Sequence, residues 1–161
     1  MINIKHKTTG ATLRTIDADT LSGANLRCAN LRCANLRGSD LSGSDLSGSD
    51  LRYANLIAAE LCDADLSYAN LRYADLSYAN LSGSDLRGAN LPEGYRIARI
   101  DFGGWPVTVT PTQTTISCQV HANELWLAAD PRWIAAMHTD ATTWWAKHGV
   151  VVQAAIRAMQ E

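Results

Sequence analysis

From Leu21 to Leu91 a leucine stands at every fifth residue without interruption. Between the leucines the same few residue types return, in units such as SGANL, RCANL, RGSDL, SGSDL, RYANL and SYADL. A period of five is neither the roughly 3.6 of an amphipathic helix nor the alternation of a half-buried strand. A repeat this short, run this long, marks a stacked rod in which each unit buries its apolar residue against its neighbours. Such a rod offers surface rather than an obvious cleft, and that limits the functions open to it.

Each unit reads as Ala or Ser, then Asn or Asp, then Leu, then two variable residues. The Ala/Ser and the Leu are two apart, so in extended backbone both point to one side and the Asn/Asp to the other. The variable pair, often Ser-Gly, Arg-Gly or Ser-Tyr, suits a corner facing water. A large Leu and a small Ala or Ser then share a narrow interior. Full burial of one leucine is worth roughly 1.5–3 kcal/mol, so this ladder can hold a domain together without an aromatic core.

The pattern resembles the pentapeptide-repeat family, A(D/N)LXX, from Ala24 to Leu91, with Leu21–Gly23 as a lead-in. Departures are few: Ser replaces Ala at Ser39, Ser44, Ser49 and Ser84, and Glu60 replaces Asn or Asp. The resemblance implies a mainly β chain built on a right-handed, four-sided β-helix with one unit per face and twenty residues per coil. Fourteen units then make about 3.5 coils, a rod about 17 Å long at the spacing of paired strands.

Three regions are expected. Residues 1–20 form a hairpin cap, with Ile2, Ile4, Leu13 and Ile16 as its apolar positions and Thr9-Gly10 as its turn. Residues 21–91 form the repeat. Residues 92–161 form a small α+β domain that holds all five tryptophans. Within it, two or three short strands broken by Gly103-Gly104 and Pro111 precede two helices. Asp130-Pro131 starts the first helix. Thr139 or Asp140 starts the second, which runs to about Met159. Trp144, His148, Val151, Ala155 and Met159 fall on one face of that helix, with Trp145, Val152 and Ile156 beside it. Trp144, Trp145, Val152 and Ile156 are the expected surface for a homodimer. Gly149 is a possible point of bending.

Net charge is −2 over 161 residues, which makes no general case for attraction to nucleic acid or membrane. Cysteines at 28, 33, 62 and 118 without an export signal fit free thiols in the cytoplasm, a host's cytoplasm if the gene is phage-borne. The stretch from Ile100 to Trp126, followed by a helix with a Trp pair, is similar to tails attached to such repeats in phage and prophage proteins.

Catalytic signals are absent: there is no phosphate loop, nucleophile elbow or dinucleotide turn. Cys118 and His121, with Glu124 behind, give at most two soft ligands where a structural zinc needs four. As a nucleophile pair they lack an orienting partner. No enzyme activity, metal or cofactor is expected.

The outer surface carries the remaining signals. With twenty residues per coil, Arg32, Arg52 and Arg72 stack in one column beside Tyr53 and Tyr73, and Tyr68 and Tyr78 flank them. Exposed Tyr and Arg are enriched at binding hot spots. Asn25, Asp45, Asp65 and Asp85 form another column. Ten acids against six arginines from Ile16 to Leu91 allow partial DNA mimicry, since a duplex of that length carries about ten charges. The expected role is therefore noncatalytic: inhibition or regulation of a host nucleic-acid-handling enzyme, by partial mimicry or steric block. The partner is a topoisomerase, a nuclease or an antiviral complex, with no direct binding to nucleic acid. A scaffold whose rod only positions the C-terminal domain is the alternative.

Overall fold

A computed structural model describes residues 1–101, 105–116, 119–138 and 140–160. The chain divides into two compact units, Met1–Gly94 and Tyr95–Glu161.

In the first unit, β1 (Ile2–His6) and β2 (Thr12–Ile16) form an antiparallel hairpin with Ile2 opposite Ile16. The free edge of β1 pairs antiparallel with β3 (Ala34–Asn35), Lys5 opposite Asn35 and His6 opposite Ala34. Asn35 pairs on its other side, in parallel, with Asn55. The hairpin therefore takes up backbone groups that the first turn of the repeat would otherwise leave unpaired.

Beyond it, parallel bridges link residues twenty apart, from Asn25↔Asp45 to Asn70↔Asn90. The Leu26 N–H donates to the Asp45 carbonyl at 2.7 Å, and the Asp45 N–H to the Ala24 carbonyl at 3.0 Å. The same two bonds recur along the repeat, so four units make one turn of the coil. Leucines from Leu26 to Leu71 are no more than 1% exposed. Two inward hydroxyls use the nearest carbonyl, Ser44 donating to Leu41 O and Ser84 to Leu81 O, whereas the buried Ser49 hydroxyl has no partner among the described residues.

In the second unit β4 (Ala98–Asp101), β5 (Pro106–Val109), β6 (Gln113–Ile116) and β7 (Gln119–Ala122) form an antiparallel sheet in chain order. Three helices follow: α1 (Asn123–Leu127), α2 (Pro131–Ala135) and α3 (Ala141–Gln160). Among the described residues, four strands and three helices stand where two or three strands and two helices are expected. The strands are four residues each, and β5 and β6 carry Thr at inner positions, so their apolar alternation is weak. Helix α1 has no side-chain cap to mark its start. Helix α2 is capped as expected, the Arg132 N–H donating to Asp130 Oδ1 at 2.6 Å. The expected strand break at Gly103-Gly104 and the Thr139 alternative for the start of α3 lie outside the described residues.

Val109, Trp126, Val152 and Ile156 lie at the centre of this unit's own core. Asn123 is 1% exposed; its amide donates to Thr110 O and Pro111 O and accepts from the Thr114 hydroxyl, fastening α1 to the sheet. Gly149 is buried within an uninterrupted α3. A Cβ there would stand 2.7 Å from the Trp145 ring, so the glycine makes room for tryptophan rather than a bend. The buried line of α3 runs through Gly149, Val152 and Ile156. Val151, expected on the apolar face, is 48% exposed. Among the described residues no helix is long and apolar enough to cross a membrane.

Candidate functional site

The corners of the coil follow from two features of the repeat. First, the N–H after the variable pair donates back to the leucine carbonyl, as from Ala29 to Leu26 at 3.1 Å. This closes a four-residue turn whose third residue lies in the left-handed region, as in a type II turn. In all fourteen units that third residue has positive φ, and only six of them are glycine. Second, the Asn or Asp side chain accepts the N–H two residues on, across the next corner: Asn30 from Arg32, Asp45 from Ser47, Asp65 from Ser67, Asp75 from Ser77, Asp85 from Arg87. Asn and Asp both supply that oxygen, which is why the repeat tolerates either.

The tyrosines occupy the left-handed corner position: Tyr53, Tyr68, Tyr73 and Tyr78 have φ between +58° and +62°. A residue with a Cβ is disfavoured there by roughly 1–2 kcal/mol. Tyr68, Tyr73 and Tyr78 stand at three successive corners of one turn and are 74%, 61% and 57% exposed. The Tyr68 ring lies across Gly88, where a Cβ would come within 2.7 Å of it.

Tyr53 and Tyr73 are brought together as the twenty-residue turn requires. Their rings stack at 4.9 Å with a 13° tilt, and the Arg32 guanidinium lies 5.3 Å from the Tyr53 centroid. Arg52, in the same arginine column, is tied to Asp50 by two bonds of 2.8 and 2.6 Å. Arg72 has no ion pair among the described residues. The three arginines thus stand in three environments: over a ring, paired, and open. The Lys7 ammonium donates to Tyr53 O at 2.5 Å, a contact that no repeat spacing could announce.

The acidic column is more structural than the sequence suggested. Ser47, expected outward in water, is buried at 9% exposure because its hydroxyl turns onto Asp45 Oδ1 at 2.6 Å. That hydroxyl, with the Ser47 N–H, holds the Asp45 carboxyl below its ordinary range. Asp85 accepts the Arg87 backbone N–H and three contacts from its guanidinium, the shortest 2.6 Å. Asp65 accepts the Ser67 N–H at 2.9 Å. Elsewhere the Arg52 bond lowers the Asp50 carboxyl, the Ser77 hydroxyl lowers Asp75, and the Ser42 N–H lowers Asp40. Asp40, Asp45, Asp50 and Asp75 thus stay charged at neutral pH while serving as corner acceptors.

Glu60 accepts from the Asn80 amide at 2.9 Å, and the same amide lies 2.9 Å from Cys62 Sγ. Burial and then the Glu60 charge push the Cys62 thiol up, which keeps it protonated and unreactive. Cys28, Cys33 and Cys62 are free thiols.

In the second unit the aromatic residues turn inward. His121 lies edge-on to Trp126 at 5.5 Å and to Trp133 at 4.9 Å, and burial lowers its pKa. Cys118 lies outside the described residues, and among the described residues no group of His, Cys, Asp or Glu could hold a metal. The expected dimer surface is corrected at two of its four positions. Val152 and Ile156 are 0% exposed within the unit's own core, because α3 packs that line onto the sheet. Trp144 and Trp145 are half-buried against the same core, with Trp144 stacked on Trp105 at 5.3 Å.

One further surface escaped sequence reasoning. Arg72, Tyr73, Leu91 and Glu93 line a cleft of about 340 Å³. Its only sequence signal was that Glu93 follows Tyr73 by twenty residues.

The description "Pentapeptide repeats" matches the chain in eight copies, over residues 20–43, 29–67 and 54–92. Among solved structures, the chain is 36% identical to a pentapeptide repeat protein from the Arabidopsis thaliana thylakoid lumen, over 45% of this chain and 50% of that one, TM-score 0.34. It is 38% identical to a pentapeptide repeat protein from Nostoc PCC 7120, over 47% of this chain and 75% of that one, TM-score 0.28. It is 35% identical to Rfr23, a pentapeptide repeat protein from the cyanobacterium Cyanothece 51142, over 43% and 50%, TM-score 0.28. The match thus spans about half the length of two of these three proteins. No curated protein matches the chain.

Proposed function

The chain belongs to the pentapeptide-repeat family through residues 20–92, and we propose that it is a noncatalytic binding protein that regulates a nucleic-acid-handling enzyme by steric block. Its coil takes the right-handed, four-sided β-helix of that family. The recognition surface is the tyrosine corners with the arginines beside them. The observation that carries this reading is the placement of Tyr68, Tyr73 and Tyr78, exposed, at corners where glycine would be easier. Large aromatic side chains kept in water at unfavourable backbone angles suit an intermolecular role. Steric block is favoured over DNA mimicry because Arg87 pairs the Asp85 charge, which leaves the acidic column fewer free charges than its sequence suggests.

The test uses substitutions that spare the corners. Tyr68→Gly with Tyr73→Gly keeps the left-handed backbone and removes the rings. Asp45→Asn, Asp65→Asn and Asp85→Asn keep the acceptor oxygen and remove the charge. A partner captured from bacterial lysate and identified by mass spectrometry is then assayed with each variant. Loss of inhibition with the tyrosine pair, and retention with the asparagine set, supports steric block. The reverse pattern means mimicry, and a captured enzyme whose activity the intact chain leaves unchanged removes the regulatory reading.

A further inference from the structure

The Tyr53–Tyr73 stack has two ends, and they differ. The Arg32 guanidinium closes the first at 5.3 Å from the Tyr53 centroid. At the second, Tyr53 covers one face of the Tyr73 ring, and Tyr73 lines the cleft of about 340 Å³ together with Leu91 and Glu93 from the following turn. Arg72, the residue before Tyr73, lines it too. Neither Arg72 nor Glu93 has an ion pair among the described residues, so the cleft offers one cation and one carboxylate. The same cleft is lined by an aromatic ring, Tyr73, and an apolar side chain, Leu91.

This set restricts the ligand. The ring asks for a planar partner that extends the stack. The Arg72 guanidinium asks for an oxyanion, which phosphate satisfies with two parallel bonds. The Glu93 carboxylate asks for two adjacent N–H donors on the ligand's plane. Guanine presents N1–H and the N2 amino group side by side and fits it. Adenine sets a bare ring nitrogen beside its amino group and would turn a lone pair toward the carboxylate. The cleft lies within the size range of small-ligand sites. We infer that this cleft binds a guanine nucleotide, with the base on Tyr73, its N1–H and N2–H₂ edge on Glu93 and its phosphate on Arg72. The cleft shares Tyr73 and Arg72 with the partner surface proposed above but uses neither Tyr68 nor Tyr78 nor the acidic column, and Glu93, which belongs to the cleft alone, separates the two readings.

The same chemistry can come from a free nucleotide or from an unpaired guanine at the end of a strand. Titration calorimetry on the full chain tests it with GMP, AMP, guanosine, and two short single strands, with and without one terminal guanine. The expected result is saturable 1:1 binding of GMP, with AMP and guanosine each weaker by about tenfold or more, as loss of one charge-assisted contact implies. Glu93→Gln should erase the difference between GMP and AMP. Arg72→Gln should erase the difference between GMP and guanosine. Tyr73→Gly, which suits the left-handed corner, should weaken all three. A guanine-ended strand that binds more tightly than GMP makes the source a nucleic acid, and one that binds less tightly makes it the free nucleotide. Equal affinity for GMP and AMP, strands that bind without regard to guanine, or no saturable binding of GMP would each overturn the inference.

Discussion

The two units solve one problem with opposite inventories. In the coil, leucine and alanine or serine fill the interior and the tyrosines stand outside. In the C-terminal unit the tryptophans turn inward, Trp126 is 1% exposed, and its indole N–H donates to Thr114 O at 2.7 Å. The coil's interior is narrow because residues only twenty apart pair in adjacent turns, so only one large aliphatic group per unit fits. A sheet packed under helices has room for rings, which bury more surface per residue. Order also differs in kind. Each coil residue meets residues twenty away, so its environment repeats. Each core residue of the second unit meets a different set, so one position tells nothing about the next.

Three measurements put strain on this comparison. All five tryptophans lie in the second unit, so their fluorescence follows it alone, while far-ultraviolet dichroism reports both units and carries the coil as the part of its change that the tryptophans do not follow. The largest expected effect is Leu56→Lys. It sets a charge in an interior where Leu56 is 0% exposed and should cost more than about 4 kcal/mol. The coil should unfold while the tryptophan signal stays native. Loss of both signals together would mean the units do not fold separately.

Next is Gly149→Ala. Helix propensity alone would make it stabilising by about 1 kcal/mol. The Trp145 ring, 2.7 Å from the added Cβ, should reverse the sign and cost about 1–3 kcal/mol, lowering only the tryptophan-detected melting. Unchanged or raised melting would remove the packing role assigned to this glycine.

The smallest effect is in pH. His121 has a folded pKa below its ordinary 6.5, so the unfolded chain binds the proton more readily. The second unit should lose stability as pH falls from about 6.5 toward that lower value. The coil's Asp40, Asp45, Asp50 and Asp75 are held below their ordinary 3.8. Their contribution is complete above 3.8 and lost only as pH falls through the lower folded values. Between about pH 6 and 4 the tryptophan-detected melting should therefore drop and the coil's should not, and His121→Gln should flatten the first. Parallel decline of both would contradict the assignment.

Legibility followed the period. The inward leucines were readable because alternation in a five-residue unit leaves one side for them. The Asn/Asp position was readable as outward, yet not as the acceptor that closes the next corner, because that bond depends on a turn geometry no composition reveals. Ser47 was misread for the same reason: the Asp45 side chain draws its hydroxyl in. The tyrosine corners could be located, but the left-handed backbone beneath them could not. In the second unit, Asp130 announced α2, whereas α1 lacked any cap to announce it. The cleft at Arg72, Tyr73, Leu91 and Glu93 joins one turn of the repeat to its last leucine and the residues just after it, where the pattern ceases to inform.

Taken alone, the amino-acid order determined a rod of five-residue steps with leucine inside, because burial of one side in two is a local consequence of extended backbone. The five-residue spacing by itself could not say which steps lie above which; the expectation of twenty residues per turn came from the family resemblance. Only the tertiary structure, by closing a turn after four steps, put Tyr73 on Tyr53, Arg32 over Tyr53 and Glu93 into the cleft with Tyr73. Contacts between turns depend on the number of steps per turn, and that number is a property of the folded coil rather than of any single unit.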